Sequence, residues 1–260
     1  MRNRLLIPIL LLAVCSFLLG CQEDKLKDPN DKVLPNNTAA PKPEDHALKE
    51  VEWVKVVDPP QNVSSPSEAV VHQYEVGFKD GATEFPKKDS VIFETTLGEK
   101  SIVAIRSPEG KNNFAVFLYE HNPSSSWGVY GLVRLLGNTE FTDKEGLQLP
   151  FEKFNATKMN IPEKSVNAWV FANEKEIVTI TVYKRFPFTP SSDRETILLK
   201  NGNEAYIGKD HLKNSYLYYF DTEKIIVVSG NVAKQKFIDI ANSLPPVTSA
   251  LFPSPNKKEQ

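Results

Sequence analysis

The stretch SVIFETTLGEKSIVAIRS, residues 90–107, decides the fold class of this chain. It contains two runs that are rich in β-branched and aromatic residues, as strands are, and the pair Gly98-Glu99 joins them. Two parallel strands would need a crossover of about a dozen residues between them, and this link is far too short for one. The stretch therefore predicts two antiparallel strands connected by a tight turn.

The same pattern continues toward the C-terminus in short runs separated by Gly, Pro, Asn or Ser. The next two runs, 113–120 and 127–136, complete a predicted four-stranded meander. Further strands are predicted over 154–161, 166–172, 176–184, 196–200, 204–208, 215–220 and 224–230. Strands in runs with such short links predict an α+β protein built from antiparallel β-sheets.

A short helix is predicted before the meander. Ser65 can cap it, Pro66 suits its first position, and Glu68 stands in its first turn. Its apolar face carries Val70, Val71 and Tyr74, and the helix is expected to end near Gly77.

A second helix is predicted at the C-terminal end, over about 232–243. Asn231 is its expected cap, and Pro245-Pro246 stops it. Apolar residues recur on one helical face at Phe237, Ile240, Ala241 and Leu244. This spacing predicts that the helix packs on one side of the preceding sheet.

The predicted folded part is about 200 residues long, which is enough to bury a core without a metal or disulfide. The strand pattern restarts near Leu147 and divides the chain into two parts. Residues 51–145 would form a helix-plus-meander subdomain, and residues 146–248 a subdomain with a sheet and a helix. The sequence does not decide between two subdomains and one continuous sheet. Residues 249–260 are predicted to be a polar tail.

Residues 1–20 have the features of a secretory signal peptide. Arg2 and Arg4 precede an apolar run from Leu5 to Leu19, and the small residue Gly20 follows it. The run is shorter than the roughly 20 apolar residues of a membrane-spanning helix. We therefore expect this segment to be removed.

Leu18-Leu19-Gly20-Cys21 resembles the lipobox of bacterial lipoproteins. In that family the cysteine receives a diacylglyceryl group and becomes the mature N-terminus. The resemblance implies that Cys21 carries the lipid and anchors the protein to the extracytoplasmic face of the cell membrane. Cys15 would leave with the signal peptide, so disulfide, thiolate-metal and cysteine-nucleophile chemistry is not expected. The polar residues 21–50 are predicted to be a disordered tether.

Charge and motif content argue against several functions. The 31 basic and 33 acidic residues are interspersed without a basic stripe, so no nucleic-acid partner is expected. The sequence has no HExxH, GxSxG or phosphate-binding loop, and we assign no catalytic residue, metal ligand or cofactor. A cell-envelope hydrolase that uses carboxylates from several strands is the enzymatic alternative.

Two segments are candidate recognition surfaces. In YKRFPFTPSSDRE, residues 183–195, Phe186 and Phe188 lie between Arg185 and Arg194, and the segment has no strand period. The alternative is that both rings fold inward and cap a sheet edge. Trp127, in SSSWGVYG at residues 124–131, is the other candidate, and core packing is its alternative.

Residues 202–246 resemble the C-terminal signature of an uncharacterised domain family. That family occurs in envelope lipoproteins and anti-sigma-factor-like proteins of low-GC Gram-positive bacteria. The shared parts are a turn at Gly202 and Ala205, an aromatic strand at 216–220, a strand ending in Gly230, and the run 241–244. The resemblance implies a sheet closed by a helix and no known chemistry. We expect a non-enzymatic binding or interaction module, with the membrane and an envelope protein as its partners.

Overall fold

A computed structural model of the protein describes residues 49–60, 63–110, 112–122, 127–136 and 154–254. These residues form antiparallel β-sheets and two α-helices, which confirms the predicted α+β class. The predicted signal peptide, the lipobox with Cys21 and nearly all of the tether lie outside the described residues. In the part of the chain that is described, no helix is long and apolar enough to cross a membrane.

The described elements follow one another along the chain in this order: β1 (Val51–Val56), α1 (Pro66–Gln73), β2 (Tyr74–Phe78), β3 (Thr83–Glu84), β4 (Val91–Leu97), β5 (Lys100–Arg106), β6 (Phe114–His121), β7 (Trp127–Leu135), β8 (Asn155–Ile161), β9 (Val166–Ala172), β10 (Ile177–Lys184), β11 (Glu195–Leu198), β12 (Glu204–Lys209), β13 (Ser215–Asp221), β14 (Lys224–Gly230) and α2 (Lys234–Ser243). Short 3-10 turns cover Lys88–Ser90 and Pro162–Lys164. All eleven predicted strands are present within two residues of their expected limits.

The strands described here form three sheets. The predicted meander is confirmed as a four-stranded sheet in the order β4-β5-β6-β7. A three-stranded sheet has the order β1-β2-β3, and a seven-stranded sheet has the order β11-β12-β13-β14-β10-β9-β8. The last strand of the chain, β14, therefore lies in the interior of the larger sheet, between β13 and β10.

The four-stranded and seven-stranded sheets face each other across the main core. Side chains such as Phe93 and Leu118 from the first sheet meet Val170 and Val227 from the second. Both halves of the sequence thus contribute to one apolar cluster. A second core lies between the four-stranded sheet, α1 and β2, and a third lies between the seven-stranded sheet and α2.

A partly buried ion pair lies beside the second of these cores. The Glu109 side chain is 2% exposed, and its carboxylate accepts hydrogen bonds from Arg134 Nε at 3.0 Å and Nη2 at 2.5 Å. The Tyr74 hydroxyl donates to the same carboxylate. Burial raises the pKa of Tyr74, and this hydrogen bond raises it further by a smaller amount. The trio joins β2, the turn after β5, and β7.

The first helix is shorter than predicted. It has the expected cap, since the N–H of Glu68 donates to Ser65 Oγ at 3.2 Å, but it ends at Gln73. From Tyr74 onward the chain is β2, which pairs with the unpredicted strand β1. The Trp53 ring lies across this pair, where a Cβ on Gly77 would come within 2.1 Å of it. Glycine at position 77 therefore makes room for the indole.

The predicted cap of the second helix is wrong. The helix begins at Lys234, and the residue at its N-cap, Ala233, makes no side-chain hydrogen bond. Asn231 instead holds the start of β10, because its Oδ1 accepts from the N–H of Ile177 at 2.7 Å and its Nδ2 donates to the Lys175 carbonyl at 2.9 Å.

The first residues of the predicted tail, 249–260, pack against the folded part of the chain. The Phe252 ring meets Trp169 edge-on, with 5.4 Å between the ring centroids, and Pro253 is buried. Residues 255–260 lie outside the described residues.

The seven-stranded sheet extends past the four-stranded sheet on one side. On the opposite side, β7 lies beside β8, and Gly131 makes room for the side chains of Met159 and Ile161. Strand β4 lies over β14 and contacts the β12–β13 turn, where Asn214 Nδ2 donates to the Ile92 carbonyl at 2.9 Å. Strands β11 and β12 and the outer part of β13 continue beyond β4. We call their inner face the overhang, and it consists of Thr196, Leu198, Glu204, Tyr206, Tyr218 and Phe220.

Candidate functional site

The predicted recognition loop, residues 185–194, lies against the overhang. It connects β10 to β11 without regular secondary structure. Phe186 meets Tyr183 edge-on at 5.8 Å between centroids, and Phe188 meets Tyr218 in the same way at 5.5 Å. Both phenylalanine rings are half-buried against the main core, which is the inward arrangement considered as the alternative for this loop.

The turn between β4 and β5, in the four-stranded sheet, contacts this loop. Gly98 has φ of +56°, a left-handed conformation that glycine adopts without steric cost. A Cβ at this position would lie 2.7 Å from Cβ of Phe188. Glycine is therefore required here twice, for the turn and for the close approach of the loop.

The rings of the loop and the overhang form one continuous aromatic surface. Tyr206 and Tyr218 stack at 5.2 Å, and Phe188 stacks on Phe220 at 6.5 Å. Tyr206, Phe220 and both loop phenylalanines are half-buried, while Leu198, on the same face, is 73% exposed. The surface is thus largely aromatic and partly open to solvent.

Two arginines cover the edge of this surface. The guanidinium carbon of Arg185 lies 4.8 Å from the centroid of Phe220, and that of Arg194 lies 5.3 Å from the centroid of Tyr206. Arg194 Nη1 also donates to the Ser191 carbonyl at 2.9 Å. Among the described residues, neither guanidinium forms an ion pair with a carboxylate.

The carboxylates near these arginines have other partners. Glu195 pairs with Lys234 at 2.9 Å, Glu204 accepts from the Tyr206 hydroxyl at 3.1 Å, and Asp193 accepts from the Ser191 hydroxyl. Within the described ranges, the guanidinium groups of Arg185 and Arg194 therefore lie over aromatic rings and not against a carboxylate.

The tyrosines of the overhang stay neutral near physiological pH. Burial raises the pKa of Tyr218 to about 12, against a smaller opposing effect of Arg194. The hydrogen bond to Glu204 raises the pKa of Tyr206. The Tyr218 side chain is nearly fully buried, and its hydroxyl has no hydrogen-bond partner among the described residues. The tyrosines thus add no charge to this surface, whose charged side chains are Arg185, Arg194 and Glu204.

Trp127 belongs to a different part of the molecule. It is 8% exposed, packs in the core that contains α1, and meets His121 edge-on at 4.9 Å. Of the five predicted recognition residues, the structure therefore brings four together at the overhang, and Trp127 does not join them.

The carboxylates that different elements bring together hold the fold in place. Glu94 on β4 accepts from the N–H of Ser67 at 2.8 Å. Asp210, in the β12–β13 turn, accepts from the N–H groups of Glu94 at 3.1 Å and Asn214 at 2.7 Å. His211 Nε2 lies 3.5 Å from Ser67 Oγ, at the outer limit of a hydrogen bond. These contacts tie α1 and the turn to β4, and they favour a structural role for both acids.

A shallow groove of about 410 Å³ lies at one end of the four-stranded sheet, lined by residues that include Glu120, His121 and Tyr130. Lys100 and Lys164 both pair with Glu120, and these hydrogen bonds lower the pKa of its carboxyl group. The charge of Glu120 is therefore paired within the protein, unlike that of Arg185 or Arg194. In the described ranges, no group of three His, Cys, Asp or Glu side chains could hold a metal ion.

Sequence reasoning missed the strand residues of the site. Tyr206, Tyr218 and Phe220 are aromatic residues at alternating positions of predicted strands, and that alternation places Tyr218 and Phe220 on one face. The pattern did not show which part of this face is covered, because the four-stranded sheet covers only part of the seven-stranded sheet.

In comparisons with known proteins, no family model and no curated protein matches this chain.

Proposed function

We propose that this protein is a lipid-anchored binding protein on the extracytoplasmic face of the cell membrane, and that the overhang with its loop is the binding surface. It holds a partner and performs no reaction of its own. One observation carries the proposal: Arg185 and Arg194 lie over partly exposed rings, with no carboxylate partner among the described residues.

This combination of residues is typical of energetically important interface positions. Arginine and tyrosine are enriched where alanine substitution weakens protein interfaces most. An arginine that already lies on a ring loses less side-chain freedom when it binds, and it is weakly hydrated compared with lysine. Both factors favour binding through Arg185 and Arg194.

The anchor places this surface near the membrane. Two acyl chains on Cys21 would hold the protein stably, whereas a single chain gives only marginal binding. A flexible tether from Cys21 to Lys49 would span about 30 Å on average. The overhang could then reach a partner close to the membrane surface. The resemblance of residues 202–246 to a domain family of envelope lipoproteins and anti-sigma-factor-like proteins supports this placement.

The anchor is tested by Cys21→Ala. In a host that processes lipoproteins, we expect the variant to incorporate no labelled palmitate and to appear either as uncleaved precursor or in the medium. The reason is that the thiol of Cys21 is the proposed acceptor of the diacylglyceryl group.

Cys15→Ala is the matched control, because it makes the same change six residues earlier, within the predicted signal peptide. It should be labelled and membrane-bound like the wild type. Normal labelling and membrane retention of Cys21→Ala would refute the lipid anchor.

Binding at the overhang is tested by crosslinking on intact membranes, followed by purification of the anchored protein. The double variant Arg185→Gln and Arg194→Gln should capture roughly fivefold less of any partner that the wild type captures, since both charges face solvent. Its thermal stability should stay close to that of the wild type.

Arg106→Gln is the control, because Arg106 also lies over a ring, 5.3 Å from the centroid of Phe114, away from the overhang. It should capture as much partner as the wild type. If the double variant also captures as much, or if the wild type captures none, the overhang is not the binding surface.

A further inference from the structure

Strand β11 is an open edge of the seven-stranded sheet. Among the described strands its only neighbour is β12, whereas β8, at the other edge, has β7 beside it. An edge strand presents backbone N–H and C=O groups that a further strand can pair with. Natural sheets commonly protect such an edge, and this one carries the exposed side chain of Leu198.

The register of β11 shows which backbone groups point outward. The N–H of Leu199 donates to the carbonyl of Asn203 at 2.9 Å, so these two residues form a hydrogen-bonded pair. Such pairs alternate along antiparallel strands, which makes Ile197 and Ala205 the next one. Thr196 and Leu198 therefore direct their N–H and C=O groups away from β12, toward the open edge.

The side chains of these two residues lie on the overhang. Thr196 pairs with Tyr206 and Leu198 with Glu204, so all four side chains share one face. Arg194 directly precedes β11 and covers Tyr206 on the neighbouring strand. The open edge thus combines free backbone groups, an exposed apolar side chain and an arginine without a carboxylate partner among the described residues.

We propose that the overhang binds an extended, acidic peptide segment of a partner protein, which adds to β11 as an eighth strand. The proposal rests on the binding role argued above and names the partner's chemistry. The backbone of the peptide pairs with Thr196 and Leu198, and a carboxylate of the peptide pairs with Arg194. The backbone groups favour a peptide over a glycan, because a glycan has no complementary ladder of N–H and C=O groups.

The unpaired guanidinium of Arg194 at the open edge favours an acidic partner. Among the described residues Arg194 forms no ion pair: Glu195 pairs with Lys234, while Glu204 and Asp193 accept from the hydroxyls of Tyr206 and Ser191. An added strand lies about 4.8 Å from β11, which leaves Arg194 within reach of its side chains. Arg185 covers Phe220 on β13, two strands further in, and is beyond the reach of most of them.

The test measures fluorescence polarisation with the full-length protein in detergent. The probe is a labelled octapeptide, Glu-Thr-Glu-Val repeated once. We expect it to bind, and we expect two altered peptides to bind about tenfold more weakly. One has every Glu replaced by Lys, and the other has N-methyl groups on alternate residues, which remove backbone donors without changing charge.

Protein variants test the same contacts from the other side. Leu198→Pro removes an outward N–H without breaking a bond to β12, a position where edge strands tolerate proline. It should bind the probe about tenfold more weakly than Leu198→Ala, which loses only the side chain. Arg194→Gln should weaken binding severalfold, while Arg106→Gln, at a residue that lies over Phe114 on the four-stranded sheet, should leave it nearly unchanged.

Several outcomes would overturn strand addition. They are no binding of the probe, equal binding of the N-methylated peptide, or equal binding by Leu198→Pro and Leu198→Ala. A hyaluronan octasaccharide serves as the glycan probe. If it binds instead, with equal dependence on Arg185 and Arg194, the partner is an anionic glycan and the binding role of the overhang stands. The binding role of the overhang is tested separately, by the loss of capture on membranes that we expect for the double variant Arg185→Gln and Arg194→Gln.

Discussion

Phe237→Ala should lower the free energy of unfolding by about 3 to 5 kcal/mol, as measured by urea denaturation of the full-length protein. Phe237 is the largest side chain that α2 buries, and it is 0% exposed in the core between α2 and the seven-stranded sheet. Truncation removes its contacts and leaves a cavity that the sheet cannot fill, because the surrounding strands are held by their ladders.

Phe85→Ala is the matched control for this experiment. It deletes the same atoms from a side chain that is 42% exposed, outside the core of α2. We expect a loss of less than about 1.5 kcal/mol for it. Similar losses for the two variants would show that α2 is not packed as the structure describes.

Arg134→Met should lower the free energy of unfolding by about 2 to 4 kcal/mol. The substitution keeps much of the apolar stem but leaves the carboxylate of Glu109 buried without its cation and without two hydrogen bonds. The Tyr74 hydroxyl remains as a donor, and one neutral donor does not compensate a buried charge. The same denaturation assay measures the loss.

The double variant Glu109→Gln and Arg134→Met separates the buried charge from the lost packing. It should be more stable than Arg134→Met alone, because no buried charge remains. Lys234→Met breaks an exposed pair with Glu195, whose side chains are 49% and 51% exposed, and should change stability little. If the double variant is less stable than the single variant, the charge of Glu109 is not the cause.

Local sequence pattern predicted eleven of the fourteen described strands because each of them is a short run of branched and aromatic residues with a clear break after it. The short links predicted their antiparallel pairing. The pattern failed at Tyr74. Val70, Val71 and Tyr74 have helical spacing, but pairing of Tyr74–Phe78 with β1 ends the helix at Gln73. That pairing is a tertiary contact, and local propensity does not contain it.

The candidate site was predictable only where its residues are neighbours in sequence. Arg185, Phe186, Phe188 and Arg194 lie in one loop, so the sequence brings them together by itself. The overhang depends on two facts that are not local. They are the order of strands in the seven-stranded sheet and the extent to which the four-stranded sheet covers it. Trp127 shows the converse, since an aromatic residue beside a serine run lies inside a core.

The interior position of β14 determines when the protein can finish folding. A ribosome delivers the chain from its N-terminus, so β10 is available long before the strand that pairs with it. Until β14 arrives, β10 has one unpaired edge in what will become the interior of the seven-stranded sheet. Such an edge is an aggregation hazard until it is paired. A nonsense mutation shortly before Lys224 would leave β10 in that state permanently, so loss of only about the last seventh of the chain would leave the larger sheet without an interior strand.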